Sequence, residues 1–460
     1  MTAVRGFYLL LPVLVTGYAA LALAMPGNFL RAGVLGVAAA IGLLLYLFPA
    51  TFLGLAIFAL AAGPEFLLYP TLDINETRTL HRLALLALLA VNIWRYGFSL
   101  RSNPPLVALL AMFLISVLAA DFLPTLTAFQ MVKSLIGLSL PFFFLHCVYR
   151  RDAIDRYLNL VALMPLFSVV VGIVFDAAGL IRSVYPLEYT GVRRLAGLTI
   201  PAYLAFYGYV AFFVCCHQIL RTGRGGYYAL AGINLLIILM TGTRMPMLMA
   251  AIMGVAVMFF APRQILSWST RLKVMFAGTV LLMAVLFVLW PQLEPRLMGQ
   301  STGGGTSGRN FIWEYYIAEI GKSPWFGRGV GSGVILLDTI DDYRIEYTNA
   351  AHNEYLRLLM DGGIVGLVLV LVAMALWVRS ECRYMVKAER VLFLGFMLTF
   401  LLASFTDNTL SSPPTLVLFF TLSVMIQRAR QRRWELPPAP VMAVPAAPRP
   451  PPSMRPVAGA

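Results

Sequence analysis

The sequence predicts an all-α polytopic membrane protein with 12 to 14 transmembrane helices, and its composition is the first reason. Of its 460 residues, 60% are hydrophobic and only 12% are charged, whereas soluble domains carry roughly 25% charged residues. The mean hydropathy is +0.81. A soluble fold of this length has too little interior to hide so much apolar surface. The composition therefore excludes an ordinary soluble domain.

Apolar runs of a length that can cross a bilayer core as a helix recur along the chain. The runs at 50–63 and 83–94 are short, which leaves the number of spans between 12 and 14. The segment 1–25 has a basic residue followed by an apolar core, but that core is too long for a signal peptide, and we interpret it as the first span. The candidate spans are roughly 7–25, 32–48, 50–63, 83–94, 105–120, 128–148, 157–175, 198–220, 227–243, 245–261, 274–290, 362–378, 391–406 and 414–426.

The distribution of Lys and Arg predicts the orientation of the spans, because cytoplasmic loops hold the excess of basic residues. Alternation from a cytoplasmic N-terminus places 19 basic and 5 acidic residues inside, against 13 basic and 16 acidic residues outside. We therefore expect both termini in the cytoplasm. The net charge of +14 reflects this topology and does not predict a nucleic-acid partner.

Residues 1–436 are expected to form one multi-span domain, and 437–460 a disordered cytoplasmic tail with nine prolines. No internal repeat is visible among the spans, which argues against a transporter built from inverted halves. The cysteines show no CxxC motif and no metal-ligand spacing, so we expect neither a metal site nor a cofactor, and interpret them as buried apolar residues. They are Cys147, Cys215, Cys216 and Cys382.

A long outer loop at about 291–361 is predicted to be structured and functional. A helix is expected to start near Arg309, because Ile312, Tyr316 and Ile320 follow at helical spacing. The glycine-rich run "GKSPWFGRGVGSG" at 321–333 fits neither a P-loop nor a dinucleotide fingerprint. Two interpretations stay open: close approach of the backbone to a neighbour, or amides that line an anion site.

Three arginines are expected on the same outer face. Arg244 stands alone between two apolar runs. An intramembrane arginine is costly, so it either reaches the interface or has an anionic partner, for which its planar fork is suited. Arg193 and Arg194 lie just before the span at 198–220 and belong to the same side.

The segment "TNAAHNEYLRLLMDGG" at 348–363 places His352 beside Asn353 and Glu354 where the outer loop meets the next span. A lone histidine at a helix start is often a capping or packing residue, and Thr348 or Asn349 is an alternative cap. The functional interpretation is a general base, with Asn353 and Glu354 beside it: one would orient the ring, and the other would accept from a substrate hydroxyl or from Arg357. Arginines that hold a pyrophosphate leaving group and a histidine that takes a hydroxyl proton would form one reaction centre.

Three groups of motifs resemble the O-antigen ligase/polymerase superfamily of bacterial envelope glycosyltransferases. They are "RLAGL" before a span, "TGTR" between two spans, and "SGRNFIWEYYIAEIGKSPWFGRGVGSG" followed by "HNEYLRLLMDGGIVGL". The matching motifs cover roughly 190–380, and the rest of the chain shares only many-spanning hydropathy.

The resemblance implies a metal-independent glycosyltransferase of the bacterial inner membrane with its active site facing the periplasm. Its donor would be a glycan on undecaprenyl pyrophosphate, and its acceptor lipid A-core or a growing glycan. By position, Arg194 and Arg244 match the pyrophosphate-binding arginines, His352 the general base, and Arg309 the arginine of the loop. Family members carry a serine near the membrane arginine, where this chain has Thr241.

Several functions remain open on the sequence alone. The family includes O-antigen ligases, polysaccharide polymerases and protein O-oligosaccharyltransferases, and the sequence does not separate the first two. A flippase for lipid-linked glycan is the alternative of a different class. That class favours ionisable groups at mid-membrane, for which Lys133 is the clear candidate in the predicted spans.

Overall fold

The computed structural model describes residues 42–68, 74–99, 102–186, 193–260, 263, 266–297, 309–340 and 351–435. Within these ranges the chain is an all-α protein with one two-stranded antiparallel sheet, β1 Val184–Pro186 and β2 Arg193–Leu195. The predicted span 7–25, most of the span 32–48 and the tail 437–460 lie outside the described residues. In chain order the helices are α1 Pro49–Ala59, α2 Pro64–Leu67, α3 Ile74–Tyr96, α4 Pro104–Ala119, α5 Ala128–Phe143, α6 Arg151–Ala177, α7 Pro201–Thr222, α8 Gly225–Thr241, α9 Arg244–Phe260, α10 Trp268–Leu297, α11 Arg309–Lys322, α12 Ser332–Ile335, α13 Glu354–Cys382, α14 Lys387–Ala403 and α15 Pro413–Glu435.

The fold class predicted from the sequence is confirmed. Within the part of the chain that the structure describes, four stretches are long and apolar enough to cross a membrane: Ala128–His146, Arg151–Ala177, Pro201–Thr222 and Glu354–Cys382. Shorter apolar helices stand at four further predicted spans, Pro49–Ala62, Pro104–Ala119, Gly225–Thr241 and Arg244–Phe260. The total of 12 to 14 spans and the orientation of the helices remain predictions.

Helix α7 lies at the centre of the bundle. It packs against α6, α8, α9, α14 and α15, and 94% of its most apolar 18-residue window is buried in protein. Aromatic side chains fill the space around it: Phe213 and Tyr209 contact Phe396 of α14 at ring-centroid distances of 4.5 and 5.3 Å. Because lipid tails are as apolar as these side chains, such close packing is what holds membrane helices together. The central helix thus fixes where its neighbours end.

Helix α13 is kinked at Gly363, which has φ 64° and ψ −165°. A Cβ at this position would lie 2.3 Å from the backbone of Trp325, so only glycine permits this approach. The amides of Ile364 and Val365 instead donate to the carbonyls of Pro324 and Trp325 at 2.9 and 3.1 Å. The sequence "DGG" at 361–363 predicts a break before the span at 362–378, and the kink at Gly363 confirms it. The outer loop packs onto the helix at this place.

Ion pairs gather at one end of the bundle. Asp155 at the start of α6 accepts from Arg221 of α7 and Arg428 of α15 at 2.9 and 2.8 Å, while Arg430 pairs with Glu381 at 2.6 Å. These residues all belong to segments that the charge distribution assigns to the cytoplasm. The start of α7, the junction of α8 with α9 and the start of α13 lie at the opposite ends of their helices.

Cysteine labelling tests this sidedness. In a variant without the native cysteines, Lys322→Cys should react in intact cells with a membrane-impermeant maleimide, and Val386→Cys should not. Both positions are exposed, at 59% and 50%, so burial does not decide the result. Lysed cells, in which both positions should react, are the control. Labelling of position 386 alone in intact cells would reverse the predicted orientation.

Candidate active site

His352 lies just before helix α13 and not inside it. Helix α13 begins at Glu354, and its N-cap is Asn353, whose side chain accepts from the amides of Tyr355 and Leu356 at 3.0 and 3.2 Å. Tyr355 and Leu356 follow His352 at i+3 and i+4, a spacing that predicts a shared helix face, but this prediction is wrong because His352 lies outside the helix. The alternative caps at 348 and 349 fall outside the described residues. Asn353 holds the start of the helix, so His352 is not its N-cap.

The backbone of His352 is in the left-handed region, with φ 48°. It is the one non-glycine residue of the described chain with a positive φ, a conformation that costs about 1–3 kcal/mol and persists when its surroundings enforce it. The backbone is held on both sides of His352: Trp313 Nε1 donates to the carbonyl of Ala351 at 2.9 Å, and the amide of Glu354, two residues further on, donates to the carbonyl of Ser404 at 2.8 Å. The surrounding contacts thus determine where the imidazole lies.

The imidazole faces the loop 404–412 between α14 and α15. Its Nδ1 lies 3.5 Å from Oδ1 of Asp407. Burial raises the pKa of Asp407, but the nearby imidazole of His352, the amide of Asn408 and the Arg309 charge lower it by more, so that the net pKa is below its usual value. Asp407 is therefore ionised at neutral pH. A carboxylate at Nδ1 favours the tautomer in which Nε2 is the basic nitrogen.

Arg309, the first residue of α11, joins this group. Its guanidinium donates to the carbonyl of Thr406, next to Asp407 in the loop. Burial lowers the pKa of Arg309, the Asp407 carboxylate opposes this, and the positive charge of Arg244 lowers it further. Arg309 is therefore near enough to both Asp407 and Arg244 to interact with their charges. The predicted helix start and its buried residues Ile312 and Tyr316 are confirmed.

Arg194 reaches the same region from the small sheet. It stands opposite Tyr185 in the β-ladder. Its Nε donates to the carbonyl of Thr241 at 2.8 Å, and a terminal nitrogen donates to Oγ1 of Thr243 at 2.8 Å. Alternation along the strand turns Arg193 to the other face, where it is exposed. The structure thus separates the two arginines and brings only Arg194 to the turn before Arg244.

Arg244 begins α9 and is exposed. The turn before it is held by its own hydroxyls, because Oγ1 of Thr241 donates to the carbonyl of Ile238 at 2.7 Å and lies 3.2 Å from Oγ1 of Thr243. Gly242, with φ 63°, ends the preceding helix. Thr241 and Thr243 therefore fix the turn and bind Arg194. Arg194, Arg244, Arg309, Asp407 and His352 form one continuous group.

A string of buried charges lies behind this group in the first two turns of α13. Glu354, Arg357 and Asp361 are at most 3% exposed. Arg357 contacts Glu354 at 3.4 Å and Asp361 at 3.9 Å. The other oxygen of Glu354 accepts from the amide of Leu410 at 2.9 Å, which ties the loop 404–412 to α13. Of the two expectations for Glu354, the contact with Arg357 is confirmed; its burial argues against contact with a sugar hydroxyl.

The amides of the glycine-rich segment donate hydrogen bonds to a carboxylate of the protein itself. Gly331 and Gly333 donate to Oδ1 of Asp361 at 3.1 and 2.7 Å. Gly327, Gly329 and Gly331 have φ values of 74°, 101° and 105°, which side chains other than glycine rarely adopt. Both interpretations of this segment therefore hold at once: the backbone approaches closely, and its amides bind a carboxylate.

The sequence reasoning missed Asp407. It stands in "SFTDNTLSS", a short polar loop between two apolar runs on the predicted outer side, and that position was the available signal. Its place next to His352 depends on the pairing of α13 with loop 404–412, which sequence spacing does not reveal. Across the described ranges, no cluster of three His, Cys, Asp or Glu residues could hold a metal ion.

The helical fold defines a polytopic membrane protein, and the group of arginines with His352 and Asp407 is its candidate site. The O-antigen ligase family model matches residues 229–371, a range that includes Arg244, Arg309 and His352. The match supports membership of the O-antigen ligase superfamily, and with it a membrane glycosyltransferase-like function in polysaccharide biosynthesis on lipid-linked glycans. No match was found among curated proteins.

Replacing Arg357 with Met tests the buried string. Removing one partner leaves Glu354 and Asp361 buried without their cation, which should lower the free energy of unfolding by about 3–5 kcal/mol. Thermal unfolding of the purified protein in detergent measures the effect. Arg150→Gln is the matched control, because Arg150 pairs with Asp152 at 2.8 Å on the surface and such pairs contribute about 0–1 kcal/mol. Equal unfolding temperatures for both variants would contradict this account.

Proposed function

We propose that this protein is a glycosyltransferase that transfers or polymerises undecaprenyl-pyrophosphate-linked glycan in the synthesis of a cell-surface polysaccharide. The observation that carries the proposal is the assembly of His352 and Asp407 with Arg309, which in turn interacts with Arg244. A base and a set of cations at one place suit a reaction in which a proton is taken from a hydroxyl and an anion departs.

In the proposed reaction, a hydroxyl of the acceptor attacks the anomeric carbon of the donor sugar. His352 takes the hydroxyl proton on Nε2, and Asp407 stabilises the imidazolium that forms. The bond between the anomeric carbon and the pyrophosphate oxygen breaks, and its electron pair stays on that oxygen. After this step the glycan is bonded to the acceptor, the proton is on His352, and undecaprenyl pyrophosphate is released.

Arg194, Arg244 and Arg309 supply the charge that stabilises the leaving group. A guanidinium offers a planar fork of donors that matches phosphate oxygens. Arg194 is fixed by Thr241 and Thr243, and Arg309 by the carbonyl of Thr406, so little ordering is needed when the pyrophosphate binds. Because three cations are held there, the proposed reaction uses no metal ion.

The proposed place of the reaction is the periplasmic side of the bacterial inner membrane. The support is the charge distribution of the chain, together with the location of the site at the helix ends opposite the cytoplasmic ion pairs. The acceptor is lipid A-core for a ligase and a growing glycan for a polymerase. A flippase remains the alternative of another class, with protein O-oligosaccharyl transfer as a third activity.

A reconstitution separates these functions. The purified protein, given a lipid-linked glycan and an acceptor in the presence of a chelator, should release undecaprenyl pyrophosphate. Long chains from the donor alone identify a polymerase, and a requirement for lipid A-core identifies a ligase. The control omits the protein. Movement of intact lipid-linked glycan across liposomes with no bond broken would contradict the proposal and favour a flippase.

A further inference from the structure

A second pair of arginines lies beside the candidate active site and has no role in the proposed reaction. Arg78 and Arg82 stand four residues apart on α3, hence on one face of that helix. A terminal nitrogen of Arg78 donates to the hydroxyl of Tyr203 at 3.3 Å. A terminal nitrogen of Arg82 donates to the carbonyl of Ser411 at 3.0 Å. Three separate parts of the fold therefore converge at this cluster.

The two arginines lie close to a buried anion and to a third cation. Among the described residues, the buried carboxylate of Glu65 interacts with both arginines. Arg357 also lies close enough to Arg82 to repel it, and its charge is already shared with Glu354 and Asp361. Cations that gather without equal compensation are costly in a protein interior, and a bound anion would remove that cost.

Arg78 also has an unused donor. Its Nε is buried and has no hydrogen-bond partner among the described residues, although the side chain as a whole is half-buried. A buried donor of a charged group that lacks a partner is unfavourable. Tyr203 is half-buried as well. The guanidinium and the hydroxyl are thus within reach of a ligand at the surface of the cluster.

The cluster borders the candidate active site at two points. Tyr203 lies two residues after Pro201, whose carbonyl is 3.5 Å from Oγ1 of Thr243, the hydroxyl that binds Arg194. Tyr203 also interacts electrostatically with Asp407. A ligand held by Arg194 and Arg244 would therefore have the second cluster as its neighbour.

We propose that Arg78 and Tyr203, with Arg82 adding charge, form a second anion subsite that binds a phosphate group of the glycan substrates. The phosphate belongs either to the donor diphosphate or to a phosphorylated acceptor. The identity of these substrates rests on the proposed function, whereas the binding of phosphate does not. In this subsite, Arg78 and Tyr203 contact the phosphate. Arg82 does not contact it but positions the subsite through its hydrogen bond to the carbonyl of Ser411.

Calorimetric titration of the purified full-length protein with inorganic pyrophosphate tests the subsite. Arg78→Gln, which keeps a donor for Tyr203, should weaken binding about 10- to 100-fold, as expected for a charge-assisted hydrogen bond. The loss should persist in an Arg244→Gln background, because the two arginines bind at separate positions. Arg95→Gln, at the other end of the same helix, is the matched control and should leave binding unchanged.

Unchanged pyrophosphate binding in Arg78→Gln, in both backgrounds, would overturn the proposal. Tyr203→Phe removes only the hydroxyl and gives the answer if Arg78→Gln fails to fold: weaker binding supports the subsite, and wild-type binding overturns it. In the transferase assay, a raised KM for the donor alone identifies the donor diphosphate, and a raised KM for the acceptor alone identifies an acceptor phosphate. Pyrophosphate binding that depends on Arg78 in a protein without transferase activity would reject the proposed function and retain the subsite.

Discussion

The buried carboxylate of Glu354 is the interaction on which the arrangement of the candidate site depends. One oxygen contacts Arg357 and the other accepts from the amide of Leu410, so a single side chain joins the start of α13 to the loop that carries Asp407. The attraction between buried charges offsets their desolvation only when all of their partners are present. Asp361 completes the set by accepting from the glycine amides of the outer loop. The loop, the helix start and the glycine segment are therefore held in place together.

This constraint explains how a strained histidine persists at the surface of the bundle. The left-handed conformation of His352 is enforced by its neighbours in the chain, which are bonded to Trp313 and Ser404. The same loop that binds Glu354 then presents Asp407 to the imidazole. Pre-organisation of this kind is typical of catalytic groups, because it avoids reordering at the moment of reaction. Arg194 and Arg309 are likewise held by hydroxyl and carbonyl oxygens.

The fold class and most helix positions could be predicted from the sequence because apolar run length, Gly and Pro dominate in a membrane protein. The helix from Arg309 and the break at Gly363 followed from spacing and from glycine. The N-cap of α13 was mispredicted. Three polar residues before this helix could each act as its N-cap, and tertiary contacts determine where the helix begins. Asp407 and the Arg78 cluster were not predicted. Asp407 lies 55 residues from His352 along the chain, and Arg78 lies 125 residues from Tyr203. Such pairings depend on helix packing, which local patterns do not encode.

The turnover of His352→Asn tests the central claim, that His352 held by Asp407 is the general base. Asparagine tolerates the left-handed backbone, and Asn353 still caps the helix, so the fold and donor binding should survive. Asparagine takes no proton at neutral pH, and loss of a general base costs typically about 10²–10⁴-fold in rate. We predict a loss of this size, equal to that of His352→Ala, with an unchanged unfolding temperature. Near-normal turnover of His352→Asn would contradict the catalytic role of His352.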